Sequence, residues 1–126
     1  MILAVVEDLL FLSKIQQTAK QLGVEVGIAR PADLPKLADE NAPNAFILDL
    51  NLPSGKALEV LRTLKSDLKT KDITTIGFVS HVQNELIAAA REAGCDVILA
   101  RSAFTGQLAA LLLRFSGTRT AERAEE

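Results

Sequence analysis

The 126 residues carry a formal net charge of −2, and 48% of them are hydrophobic against 24% charged. This length fits a single domain with one core, and the balanced charge offers no basic surface to a nucleic-acid backbone. A lone cysteine, Cys95, excludes an internal disulfide and fits a reducing compartment. The N-terminal apolar run is too short for a signal segment, and no run has the length of a membrane span. We therefore expect a cytoplasmic protein without direct contact to membrane or nucleic acid.

Short apolar runs of strand length recur along the chain. They are Ile2 to Val6, Val24 to Ile28, Ala45 to Leu48, Thr75 to Val79 and Val97 to Ala100. Four of the runs show little alternation, which is typical of parallel strands that helices cover on both faces. The second run alternates, as a strand at the edge of a sheet does.

Segments with a helical period of apolar residues follow the runs. The first ends at Gly23, the second begins near Pro31, and the last starts near Ser102 or Thr105, either of which can cap it. Strict alternation of strands and helices predicts an α/β fold with a three-layer open sheet, because five units are too few for a closed eight-strand barrel. We expect five parallel strands in the flavodoxin-like order 2-1-3-4-5, over a domain of residues 1–116. Residues 117–126 are expected to form a flexible tail or a linker.

Polar residues follow four of the five predicted strands. Glu7 and Asp8 come after the first strand, Asp49 after the third, Ser80 after the fourth and Arg101 after the fifth. In an open α/β sheet, ligands bind at the carboxyl ends of the strands, where the strand order reverses. The first and third strands are neighbours at that point, so the three acids are expected to converge.

Converging carboxylates raise one another's pKa unless a positive charge accompanies them. All the donors offered are hard oxygens, which favours Mg²⁺ over zinc or copper. Beside a metal, Asp49 can stay ionised and can attack phosphorus to give an aspartyl phosphate. Mg²⁺, the Ser80 hydroxyl and the Arg101 guanidinium could then share the charge of the phosphoryl oxygens.

Four stretches in this order and spacing resemble the receiver domain of bacterial two-component response regulators: "ILAVVEDLLFLSKI", "FILDLNLP", "TIGFVS" and "EAGCDVILARSAF". The resemblance covers nearly everything but the tail. It implies that Glu7 and Asp8 bind Mg²⁺, with Asp49 and the backbone carbonyl of Asn51 as further ligands. It also implies that Asp49 accepts a phosphoryl group from a histidine kinase, and that the Ser80 hydroxyl turns toward that group.

Three positions depart from the receiver pattern. Receivers carry a Lys followed by a cis Pro after the fifth strand, where this chain has Arg101 and Ser102. Arg and Lys are not interchangeable at a tight site, and without proline we expect a trans peptide bond, so Arg101 need not point where the Lys points. Ile98 replaces the usual aromatic residue that moves with the hydroxyl.

Several of these residues also have ordinary structural explanations. Glu7 and Asp8 can cap the first helix, although the presence of Asp49 opposite favours a metal site. Ser80 can cap the following helix. We expect His81 to be a loop residue beside the site and Cys95 to be a small core residue.

The residues favour a stand-alone receiver that relays phosphorylation and is not an enzyme. Its expected partners are a histidine kinase or phosphotransfer protein, and a second copy through the apolar last helix near Leu113. The alternative is a pseudo-receiver, a protein-interaction module that no longer depends on phosphate. An aspartate-nucleophile phosphatase is a weaker hypothesis, because Asn51 stands where its general acid would be.

Overall fold

The computed structural model describes residues 1–81 and 83–117, so the tail predicted over 117–126 lies almost wholly outside the described residues. Strands and helices alternate along the chain as predicted. The strands are β1 (Ile2–Val5), β2 (Val26–Ile28), β3 (Ala45–Asp49), β4 (Thr74–Val79) and β5 (Val97–Ala100). The helices are α1 (Leu9–Leu22), α2 (Leu34–Asn41), α3 (Ala57–Ser66), α4 (Asn84–Glu92) and α5 (Arg101–Arg114), and a 3₁₀ turn over Pro31–Asp33 leads into α2.

The strands form one parallel sheet in the order β2-β1-β3-β4-β5, which confirms the predicted topology. Val5 at the end of β1 lies in register with Leu48 of β3. Asp49, the last residue of β3, lies in register with Phe78 of β4. Strand β2 is half-buried at one edge of the sheet, as its alternation predicts, and β5 is half-buried at the other.

Two apolar clusters make the core, one on each face of the sheet. Alternate strand residues point to opposite faces, so Leu3 and Phe46 belong to one cluster while Ile2 and Ile47 belong to the other. Helices α2, α3 and α4 supply the first cluster, and α1 and α5 supply the second. The three layers that the sequence predicts are therefore present. Cys95 is buried in the first cluster, as expected of a core residue, and burial raises the pKa of its thiol to about 11.

Helix α5 begins within one residue of the predicted start near Ser102, but without the predicted cap. It starts at Arg101, directly after the last residue of β5, and no side chain caps its first turn. The prediction of a cap at Ser102 or Thr105 is therefore wrong. Phe104, which is fully buried, lies in the first turn and packs in the second cluster.

Asn44 fastens the end of α5 to the sheet. Its side-chain amide donates hydrogen bonds to the carbonyls of Phe115 (2.9 Å), Ser116 (3.3 Å) and Gly117 (2.9 Å). The amino group of Met1 donates to the same Gly117 carbonyl at 2.7 Å. These bonds satisfy backbone carbonyls at and just beyond the C-cap of the helix. Among the described residues, no helix has both the length and the apolar character that crossing a membrane requires.

Candidate functional site

The predicted polar residues lie together at the carboxyl ends of the strands. Asp49 ends β3, Ser80 follows β4 and Arg101 follows β5. Glu7 and Asp8 occupy the short connection between β1 and α1. Glu7 and Asp8 lie near Asp49 because β1 and β3 are neighbours, and Arg101 extends toward them from the end of β5. The charges of all three residues act on the Asp49 carboxylate.

Asp49 is a buried carboxylate, with 4% of its surface exposed. Its Oδ1 accepts a hydrogen bond of 2.8 Å from the backbone N–H of Asn51. Burial raises the pKa of Asp49, and the charges of Asp8 and Glu7 add to this. The Asn51 N–H and the Arg101 guanidinium oppose the rise. Asp49 is therefore a desolvated and relatively basic carboxylate, which suits a nucleophile more than a structural acid.

Asp8 caps helix α1, as the structural explanation of this residue anticipates. Its Oδ1 accepts hydrogen bonds from the backbone N–H groups of Leu10 (3.0 Å) and Phe11 (3.1 Å), and its Oδ2 accepts from Nη2 of Arg101 at 3.0 Å. The Phe11 N–H, followed by the Arg101 guanidinium, lowers the pKa of Asp8. Asp8 is thus ionised and already holds a cation. Glu7 is exposed, and its Oε1 accepts a 3.3 Å hydrogen bond from the Ser54 hydroxyl.

Arg101 reaches Asp8 across two strands of the sheet. Its guanidinium carbon lies 4.3 Å from the centre of the Phe11 ring and 5.9 Å from that of Phe78. Such cation–π contacts favour the planar guanidinium over an ammonium group. Its Nε is buried, and no hydrogen-bond partner for it occurs among the described residues. No peptide bond in residues 1–81 and 83–117 is cis, so the trans prediction at Ser102 holds.

Asn51 connects the loop after β3 to the loop after β4, a role that the sequence does not indicate. Its side-chain Oδ1 accepts a 2.8 Å hydrogen bond from the backbone N–H of Ser80, and its Nδ2 donates to Gln83 at 2.7 Å. Ser80 is exposed and does not cap α4, since Gln83 occupies the cap position. The two loops that flank Asp49 are therefore held together by one amide, and only the register of β3 and β4 could have indicated this pairing.

The donors at this edge fit a divalent cation in their chemistry, since they are the hard carboxylate oxygens that Mg²⁺ prefers. In this structure, however, these oxygens are not arranged around a common metal position. Within the described part of the chain, no three acidic, His or Cys side chains are grouped to hold a metal ion. Arg101 already donates a hydrogen bond to Oδ2 of Asp8. Metal binding by Glu7, Asp8, Asp49 and the Asn51 carbonyl stays a prediction.

A scan against protein-family models finds no match, and neither does a search of the curated proteins. Solved structures do match. The chemotaxis response regulator CheY4 of Vibrio cholerae superposes with a TM-score of 0.77 at 18% identity, over 90% of this chain and 96% of that chain. The signal receiver domain of a DNA-binding response regulator from Colwellia psychrerythraea gives 0.73 at 18% identity, over 89% and 97%. The chain has the receiver-domain fold.

A third match is the Mn²⁺-bound form of the response regulator Rcp1, with a TM-score of 0.72 at 18% identity, over 94% of this chain and 96% of that chain.

The receiver fold accommodates the three residues at which this sequence departs from the receiver pattern. Ile98 is half-buried and packs against the first core cluster. Ser102 is exposed in the first turn of α5. Arg101 departs most, because its guanidinium pairs with Asp8.

Proposed function

We propose that this chain is a phosphorelay receiver, in which Asp49 accepts a phosphoryl group and the modified domain changes its protein contacts. The observation that carries the proposal is the position of Asp49, a buried carboxylate at the end of the central strand, with both acidic and basic groups beside it. The receiver fold supports it. The proposed donor is a histidine kinase or a phosphotransfer protein, and the proposed compartment is the cytoplasm.

In the proposed reaction, a carboxylate oxygen of Asp49 attacks the phosphorus of a phosphohistidine. The new P–O bond forms as the P–N bond breaks, and the imidazole leaves and takes up a proton. The raised pKa of Asp49 makes the carboxylate more nucleophilic. The fixed positive charge of Arg101 acts on the same carboxylate, and this charge offsets the charge brought in by the phosphoryl oxygens.

Mg²⁺, when bound, would supply further neutralisation of the phosphoryl oxygens. Glu7, Asp8, Asp49 and the backbone carbonyl of Asn51 are the groups proposed to hold it. The Ser80 hydroxyl is exposed beside the site and is proposed to hydrogen-bond the phosphoryl group. The backbone N–H of Ser80 donates to the side chain of Asn51, which is two residues after Asp49. A movement of the Ser80 loop would therefore also displace Asn51. We do not class such a domain as an enzyme, since it modifies only itself.

Helix α5 is the proposed contact surface for a second copy of the chain. Leu113 is 52% exposed on this helix, while Leu108, Leu111 and Leu112 are buried against the sheet. A single exposed leucine is a small apolar contribution, so we expect self-association to be weak.

A second candidate function has two observations in its favour. Arg101 is engaged with Asp8 and Phe11 rather than held free beside Asp49, and Ile98 stands in place of the usual aromatic residue. Both features favour a protein-interaction module that has the receiver fold but does not use phosphate.

Phosphorylation by a small-molecule donor distinguishes the two functions. The protein is incubated with acetyl phosphate and Mg²⁺, and intact-protein mass spectrometry is expected to detect the addition of one phosphoryl group. Asp49→Asn should abolish the addition. Asp72→Asn, which removes an exposed carboxylate elsewhere, should leave it intact. No phosphoryl adduct on the wild-type protein, or an adduct that persists in Asp49→Asn, would contradict the proposal.

Beryllium fluoride, a phosphoryl mimic, tests whether the modification is transmitted. With Mg²⁺ present, we expect backbone amide shifts at Ser80 and in α5 as well as around Asp49. Shifts confined to residues 7–8 and 49–51 would favour the phosphate-independent module.

A further inference from the structure

We propose that Arg101 is the resident cation of the Asp8 carboxylate, and that a divalent ion binds this site only by displacing it. The inference rests on the proposed function, because it concerns how the same acids are made available to a metal. In this proposal, Arg101 controls whether a metal ion can reach Asp8, and its contacts with surrounding residues keep it in place.

Every oxygen of Asp8 already has a partner. Oδ1 accepts two backbone N–H groups at the start of α1, and Oδ2 accepts the Arg101 guanidinium at 3.0 Å. A divalent ion on Oδ2 would lie within a few ångströms of the guanidinium, and two positive charges at that distance repel each other. The ion and Arg101 are therefore alternative partners of Asp8.

The neighbours of Arg101 hold it on Asp8. Arg101 is the first residue of α5, directly after β5, so its backbone has little freedom. Its guanidinium stacks on Phe11, whose own N–H donates to Asp8. One aromatic residue thus supports both the carboxylate and its cation. A lysine, which has no planar face, would lack this support.

Other features keep the contact reversible. About a third of the Arg101 side chain and 41% of the Asp8 side chain are exposed, and an ion pair as exposed as this is modest in strength. The buried Nε of Arg101 has no hydrogen-bond partner among the described residues. A buried donor without a partner is unfavourable, so release of Arg101 recovers the hydration of Nε. The pair is therefore poised to exchange with a competing cation.

Metal affinity of charge variants tests this inference. Isothermal titration with Mn²⁺ and with Mg²⁺ compares the wild type with Arg101→Gln, which keeps a long polar side chain and removes the charge. We expect affinity to rise at least about tenfold, given the repulsion that is removed. The matched control is Arg114→Gln, since Arg114 also stacks on a phenylalanine, Phe115 (5.3 Å), away from the site. The control should stay within about twofold of the wild type.

A third variant separates displacement from a general effect of charge. Phe11→Leu leaves every charge in place but removes the ring under Arg101, so affinity should rise roughly two- to fivefold. In the wild type, titration with Mg²⁺ should shift the Arg101 side-chain Nε resonance in proportion to the saturation of the site. The Nε resonance of Arg114 should not shift. Circular dichroism verifies that each variant is folded.

Three results would overturn the inference: an affinity of Arg101→Gln within twofold of the wild type, an Arg101 resonance that does not respond to saturating metal, or no measurable binding by either protein. Failure of the proposed function looks different. In that case Arg101→Gln still binds metal more tightly, while acetyl phosphate leaves Asp49 unmodified in both proteins.

Discussion

Replacing Asp49 by Asn is expected to stabilise the domain at neutral pH. The carboxylate is 4% exposed and accepts a hydrogen bond from Asn51, which an asparagine Oδ1 can also accept. The substitution therefore removes the charge and keeps the bond. The recovered desolvation penalty is on the order of 1–3 kcal/mol in the free energy of unfolding, or about 3–5 °C in Tm for each kcal/mol.

The gain should depend on pH in a defined direction. The folded state raises the pKa of Asp49 above its ordinary value of 3.8, so it binds that proton more tightly than the unfolded chain does. Stability contributed by the protonated group is present below pH 3.8 and is lost as pH rises through the folded pKa. The advantage of Asp49→Asn is therefore full at pH 7 and shrinks toward pH 4.

Chemical denaturation at pH 7, 5 and 4 measures this effect. The chain has no Trp and no Tyr, so far-UV circular dichroism is the suitable signal. Asp72→Asn, at an exposed position, is the control and should change the free energy of unfolding by less than about 0.5 kcal/mol. A variant no more stable than the wild type at pH 7, or a gain that stays constant to pH 4, would refute the reasoning.

Two further substitutions test the packing that positions the site. Asn44→Ala removes the donor to the carbonyls of residues 115–117, so we expect a loss of about 1–2 kcal/mol and faster hydrogen exchange in the last turn of α5; unchanged exchange there would contradict the assigned role. Gly77→Ala brings a Cβ to 2.9 Å from Sγ of Cys95 and 3.0 Å from Cδ1 of Leu50, and denaturation should reveal a loss of about 1–3 kcal/mol from overpacking. Adding Cys95→Ala should recover part of that loss in a double-mutant cycle, and strict additivity would indicate that the sulfur is not the obstacle.

The topology was accessible from the sequence because it depends on patterns that the sequence displays. Apolar runs alternating with helical periods leave few arrangements for a sheet covered on both faces. The start of α5 was predicted to within one residue, but its cap was not. Ser102 and Thr105 carry capping propensity, yet the helix starts at Arg101 without a side-chain cap.

The location of the site could be predicted from the sequence, but the contacts within it could not. The strand-end rule locates Asp49 and its charged neighbours at one edge of the sheet. It does not say which acid Arg101 pairs with, because that depends on the reach of the guanidinium and on the ring of Phe11 beneath it. The bridging amide of Asn51 was missed for the same reason, since its partners lie 29 and 32 positions away in the sequence.

The Asn44 hydrogen bonds have a practical consequence for studying the domain. They bring Gly117 beside Met1, with 2.7 Å between the amino nitrogen and the carbonyl oxygen. Both groups lie where β1 and β3 begin. Asp49 lies at the other end of β3, so the two groups and Asp49 are at opposite ends of the strands. A fluorophore or surface tether attached at either position would therefore leave the approach to Asp49 open. Removing residues 118–126, joining Gly117 to Met1 through a short linker and opening the chain elsewhere should give a circular permutant with its site intact.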